Sequence, residues 1–71
     1  MDSLFQVHKL NEEGLKKAAE IAEAFNTCLD SITALVGSNS TGREMAVVRT
    51  KLEEACFFTK KAMANEPENQ Q

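Results

Sequence analysis

Apolar positions recur along this chain at intervals of three and four, and they do so twice. Leu15, Ala18, Ala22, Phe25, Leu29, Ile32 and Val36 alternate in this way through the first half. That spacing places them on one face of a helix at 3.6 residues per turn. Ile21, Cys28 and Leu35, each seven apart, widen the stripe beyond what one antiparallel partner covers. Met45, Val48, Leu52, Ala55, Cys56, Ala62 and Met63 form a second stripe after a break. The break, Gly37-Ser38-Asn39-Ser40-Thr41-Gly42, is small, polar and of ordinary helix–helix connection length.

End signals frame both helices. Asn11 is a favoured N-cap, Glu12 and Glu13 suit the positive end of a helix dipole, and Leu10 with Leu15 fits a hydrophobic staple. Gly14 in the first turn weakens this start. Thr41 followed by Glu44 predicts a capping box for the second helix, with Gly42 and Arg43 in its first turn. That helix runs to Ala64, where Asn65 caps it and Pro67 forbids continuation. The pattern predicts an all-α fold with an N-terminal arm over 1–10, a two-helix antiparallel hairpin over 11–64 and a flexible C-terminal tail over 65–71. Two helices cannot enclose a core, and 71 residues lie near the lower limit for self-sufficient burial. The expected architecture is therefore a homo-oligomeric helical bundle.

The second helix carries another pattern on its far face. Arg43, Val47, Thr50, Glu54, Phe57 or Phe58, and Lys61 follow helical spacing there, mixing cations, a hydroxyl and aromatics. Charge is also divided. Between Asn11 and Val36, Glu12, Glu13, Glu20, Glu23 and Asp30 outnumber Lys16 and Lys17. Between Arg43 and Lys61, Arg43, Arg49, Lys51, Lys60 and Lys61 outnumber Glu44, Glu53 and Glu54. A small anion finds its partners on the second segment. A polymeric nucleic acid does not, because the net charge is −3 and a long polyanion needs a broad basic footprint.

Other classes are disfavoured. Glu53 and Glu54 point about 100° apart on a helix, which suits a solvated face better than an acid/base pair. A lone His8 and two distant cysteines build neither a metal site nor a nucleophile–base pair. No enzyme, cofactor or metal is expected. Cys28 and Cys56 fall on apolar helical positions and read as reduced, buried thiols of a cytosol. No apolar run reaches membrane-spanning length, and no signal-peptide core is seen at the N-terminus.

The candidate chemistry is anion binding. Arg43 can grip a phosphate bidentately beside Gly42, whose missing side chain lets a ligand approach the backbone. Arg49 and Thr50 follow two turns later, and Phe57 and Phe58 offer faces for nucleobases. Each has a plainer alternative. Arg43 can be solvated, Thr50 can bond back within the helix, and the phenylalanines can fill a subunit interface. In the arm, His8 can donate to a carbonyl or touch a ligand, and Leu4 and Phe5 need something to pack on.

The run Arg43-Glu44-Met45-Ala46-x-x-x-Thr50-Lys51-Leu52-Glu53-Glu54-Ala55-x-Phe57-Phe58-x-x-x-Ala62-x-Ala64-Asn65, with Phe5-x-x-His8 upstream, resembles the small phage anti-CBASS sponge proteins. Their hairpin domain is shared with one group of Thoeris anti-defence sponges. The resemblance implies a non-enzymatic protein of the host cytoplasm that assembles as a helical oligomer, typically a hexamer. Such proteins sequester cyclic dinucleotides, and often cyclic trinucleotides at separate sites, so that CBASS effectors are not activated. By the family pattern, Arg43 and Thr50, with Arg49 beside them, match positions associated with cyclic trinucleotides. The dinucleotide site in relatives uses an arm aromatic and a lysine of the first helix. Here Val7 stands where many carry Tyr, so either stacking falls to Phe5 or His8, with Lys16 or Lys17 supplying the cation, or that site is weak or lost. Relatives often carry Trp where Phe58 stands. The reading from another class is a helical oligomer that acts as a protein-interaction adaptor.

Overall fold

The computed structural model describes residues 8–71, and two long helices dominate it. Helix α1 spans Glu12–Val36 and helix α2 spans Arg43–Ala64. A 3-10 turn over Gly37–Thr41 reverses the chain between them, so the helices lie antiparallel along one another. A second 3-10 turn, Pro67–Asn69, follows α2. Among the described residues there is no strand, and Leu10 and Gln70 form an isolated antiparallel bridge. The all-α hairpin expected from the spacing is the one observed.

The ends form for the reasons the sequence carries, with one exception. Asn11 Oδ1 accepts the Gly14 N–H at 2.8 Å, the expected N-cap bond. Helix α1 stops at Gly37, whose φ of +81° and ψ of −134° suit a residue without Cβ, and whose N–H donates to the Thr33 carbonyl. Helix α2 departs from expectation. Its N-cap is Gly42, and no side chain caps it. The Thr41 capping box is absent because Thr41 is spent as the last residue of the 3-10 turn. Gly42 therefore precedes the first turn rather than lying in it, and its own N–H donates to the Asn39 carbonyl at 2.9 Å. Asn65 closes α2, as the sequence implied.

Burial is sparse. The principal extents are 45 × 25 × 11 Å, a slab one helix thick. Its radius of gyration is 15.0 Å, against about 11 Å for a compact chain of this length. Met45, 4% exposed, is the buried hydrophobic residue among those described. Phe25, Leu29, Ile32, Val48 and Leu52 line the seam half-buried. Leu35 is 87% exposed, and Leu15, Val47, Phe57 and Phe58 also face outward. The cysteines are unpaired, as expected, but neither is buried. Cys28 is exposed and Cys56 half-buried. Cys28 lies on the outer edge of the widened α1 stripe, which α2 does not reach.

Residues 65–71, expected as a flexible tail, are placed back across the start of α1. Asn11 N–H donates to the Asn69 carbonyl and Gln71 N–H to the Lys9 carbonyl, both at 2.9 Å. Asn11 Nδ2 donates to the carbonyls of Glu68 and Gln70 at 2.9 and 3.1 Å. Gln70 Nε2 and Asn69 Nδ2 reach back to the last turn of α2, on the carbonyls of Ala64 and Met63. The result is a clasp across the open end of the hairpin.

Candidate functional site

The proposed ligand residues fall into two groups at opposite ends of the hairpin. Gly42, Arg43 and Thr50 stand on the half of α2 nearest the turn. His8 and Lys17 stand at the open end, where α1 begins and α2 finishes. Phe5 and Val7 lie outside the described residues. Nineteen residues of helix separate Lys17 from Val36, so Lys17 lies about 28 Å along the axis from the end where α2 begins at Arg43. Thr50, seven residues further on, is about 10 Å nearer to it.

Near the turn, Arg43 and Thr50 share a face because seven residues return a helix almost to its starting angle. Both are exposed. They are about 10 Å apart along the axis, a gap that several linked phosphates span and one does not. Arg43 is the first helical residue and Gly42 brings no capping side chain, so the first N–H groups of α2 are left for water or an anion. Thr50 Oγ donates to the Ala46 carbonyl at 3.1 Å. The back-bonding alternative is thus the one seen, and Thr50 must turn its hydrogen outward before it can donate to a phosphate. That turn costs little, because the Ala46 carbonyl keeps the helical N–H of Thr50.

Arg49 does not join this pair. It is half-buried and lines a groove of about 190 Å³ between the helices, with Phe25, Asn26, Glu53 and Cys56. One residue of helix turns the side chain about 100° from Thr50. Within a single chain, Arg49 therefore looks into the seam while Arg43 and Thr50 look out. Phe57 and Phe58 are about 60% exposed and pack on each other edge-to-face, centroids 5.3 Å apart with 82° between planes. Each keeps a wide apolar surface open.

At the open end, Lys17 Nζ donates to Asn69 Oδ1 at 2.8 Å and lies 3.8 Å from Glu68 Oε1. Sequence reasoning placed Lys17 among the candidates and passed over both of its partners. Nothing in the Asn65 to Gln71 run distinguishes a folded-back segment from a polar terminus, except its density of Asn and Gln. His8 is half-buried. Among the described residues, a shallow, open hollow at the start of α1 is lined by Asn11, Glu12, Glu13 and Lys16. A single helix face is convex, and it encloses a ligand only where other surfaces meet it.

Among the described residues, no group of three metal-ligating side chains occurs, and no helix is long and apolar enough to cross a membrane. A family model described as Acb2/Tad1, hairpin domain, matches residues 1–64. No curated protein and no solved structure matches the chain.

Proposed function

The chain belongs to the Acb2/Tad1 hairpin-domain family, the sponge proteins of anti-CBASS and anti-Thoeris defence evasion, and from that premise we propose what it captures and how. The ligands are cyclic oligonucleotide messengers, dinucleotides and trinucleotides, held in the host cytoplasm without being degraded. Several copies of the chain, a hexamer in the family pattern, enclose each ligand. Arg43 grips phosphate oxygens with its planar fork, Thr50 donates its hydroxyl, and the bare N–H groups after Gly42 add partial positive charge. Arg49 reaches a ligand through a neighbouring copy rather than beside Thr50. Lys17 supplies the cation of a second, dinucleotide site at the other end, with Phe5, His8 or Phe58 for stacking.

The observation that carries this reading is the outward face of α2. A slab one helix thick leaves the Arg43 guanidinium, the Thr50 hydroxyl and paired aromatics on open surface. Nanomolar capture needs about −12 kcal/mol, which one convex face cannot supply but repeated copies can. The exposed Phe57–Phe58 pair favours a second reading, an adaptor that docks a protein partner.

A thermal-shift screen with cyclic di- and trinucleotides separates them. A ligand at a hundredfold excess over its dissociation constant stabilises the folded form by about 2.7 kcal/mol. For a domain this small the midpoint then rises by about 10 °C or more. The nucleotide recovered after heating is expected intact. No shift with any cyclic nucleotide rejects the sponge reading, and cleaved nucleotide rejects sequestration without degradation.

A further inference from the structure

Asn69 is 2% exposed although its side chain is an amide. Burying an amide is costly unless both of its ends are bonded. Here both are. Nδ2 donates to the Met63 carbonyl at 2.9 Å, and Oδ1 accepts from Lys17 Nζ at 2.8 Å. The Asn69 backbone carbonyl is itself held, accepting the Asn11 N–H at 2.9 Å. The acceptor for Lys17 is therefore fixed by two bonds besides the one to Lys17 itself. A surface lysine ordinarily samples many rotamers. Lys17 is tethered at its tip, with 37% of its side chain still exposed.

We infer that Asn69 is a positioning residue for Lys17. The segment after α2 holds the ammonium at a set point where a ligand phosphate meets it. The choice of side chain matters. An amide oxygen fixes the ammonium without cancelling its charge, and an ammonium has donors to spare after one bond. Glu68, 72% exposed and 3.8 Å from the same ammonium, is a loose counter-charge that an arriving phosphate displaces. Asn69 and Glu68 lie beyond the matched span 1–64, whereas Lys17 lies within it. The inference rests on the reading that Lys17 touches the ligand.

The test uses the full chain with cyclic di-AMP as probe. Asn69→Ala is expected to weaken binding about tenfold, the loss that follows when a long side chain must be ordered on binding. Glu68→Gln is expected to tighten it about two- to threefold at low salt by removing the competing carboxylate. A proton–nitrogen spectrum of the lysine ammonium groups supplies a readout that a merely structural role would not move. The tethered Lys17 ammonium exchanges slowly in the native chain and is lost from the spectrum in Asn69→Ala. Unchanged affinity and an unchanged Lys17 signal in Asn69→Ala overturn the inference. Should that variant unfold, Glu68→Gln decides through its exposed site, and equal affinity there overturns it as well. Lys17→Ala separates the two levels. If it leaves binding intact, or if the native chain ignores the probe, the ligand role of Lys17 fails. The ammonium spectrum then still tells whether Asn69 holds it.

Discussion

Gly14→Ala is expected to destabilise the protein by about 2 kcal/mol, although helix propensity alone favours the change by about 1 kcal/mol. Gly14 is buried in the first turn of α1. A Cβ there would run into the Asn69 carbonyl oxygen and press on the Leu10 side chain. The carbonyl is backbone and is already bonded to the Asn11 N–H, so it cannot swing aside as a side-chain tip would. Accommodating the methyl means lifting the segment 66–71 away from α1, with loss of the Asn11 bonds to the Asn69 and Glu68 carbonyls and of the Lys17 bond to Asn69. Net hydrogen bonds of this kind are worth about 1 kcal/mol each, enough to outweigh the propensity gain. Urea unfolding followed by circular dichroism measures the effect. The sign should reverse in a chain ending at Glu66, where the obstructing carbonyl is gone and alanine keeps its advantage. A Gly14→Ala variant of the full chain that equals or exceeds the native stability would contradict the clasp.

The second large effect is on ligand binding. Arg43→Ala is expected to weaken cyclic trinucleotide affinity by about 100-fold, since a charge-assisted hydrogen bond contributes about 1.5–3 kcal/mol. If several copies present Arg43 to one ligand, the loss grows with their number. Arg43→Lys is expected to recover only part of it, because the ammonium keeps the charge but not the fork. Thr50→Ala should cost less, about three- to tenfold. Its hydroxyl already has a partner in the Ala46 carbonyl and gains only the difference between that bond and a phosphate. Calorimetry with a cyclic triadenylate gives the affinities, and native mass measurement shows that the assembly survives. Neither side chain bears on the seam between α1 and α2, so folding should be unchanged. Affinity within twofold of native for both variants would remove this face of α2 from the site.

Much of the fold was legible because its causes are local. Asn11, the break from Gly37 to Gly42, and Asn65 with Pro67 mark the helix ends, and each sits where the sequence put it. The Thr41 box failed for a reason that local rules do not contain. Both Thr41 and Gly42 can start a helix, and the 3-10 geometry of the preceding turn decided between them. The clasp was illegible because the bonds that tie it to α1 join residues more than fifty positions apart. Gly14 shows the same limit from the other side. Read locally it is a weak spot in a helix, and its purpose appears only when the Asn69 carbonyl lies against it. In the candidate site, Arg43 and Thr50 kept company because seven residues return to one face. Arg49 parted from them because six do not.

The thickness of 11 Å has a bearing on how this molecule stays folded. A sheet-like body of that depth has two broad sides and no inside, so side chains such as Leu35 and Phe57 shed water only against another molecule. What settles on those sides also holds the helices in register. Where copies of the chain cover those sides, as proposed above, assembly and folding become a single event governed by mass action, and stability rises with protein concentration.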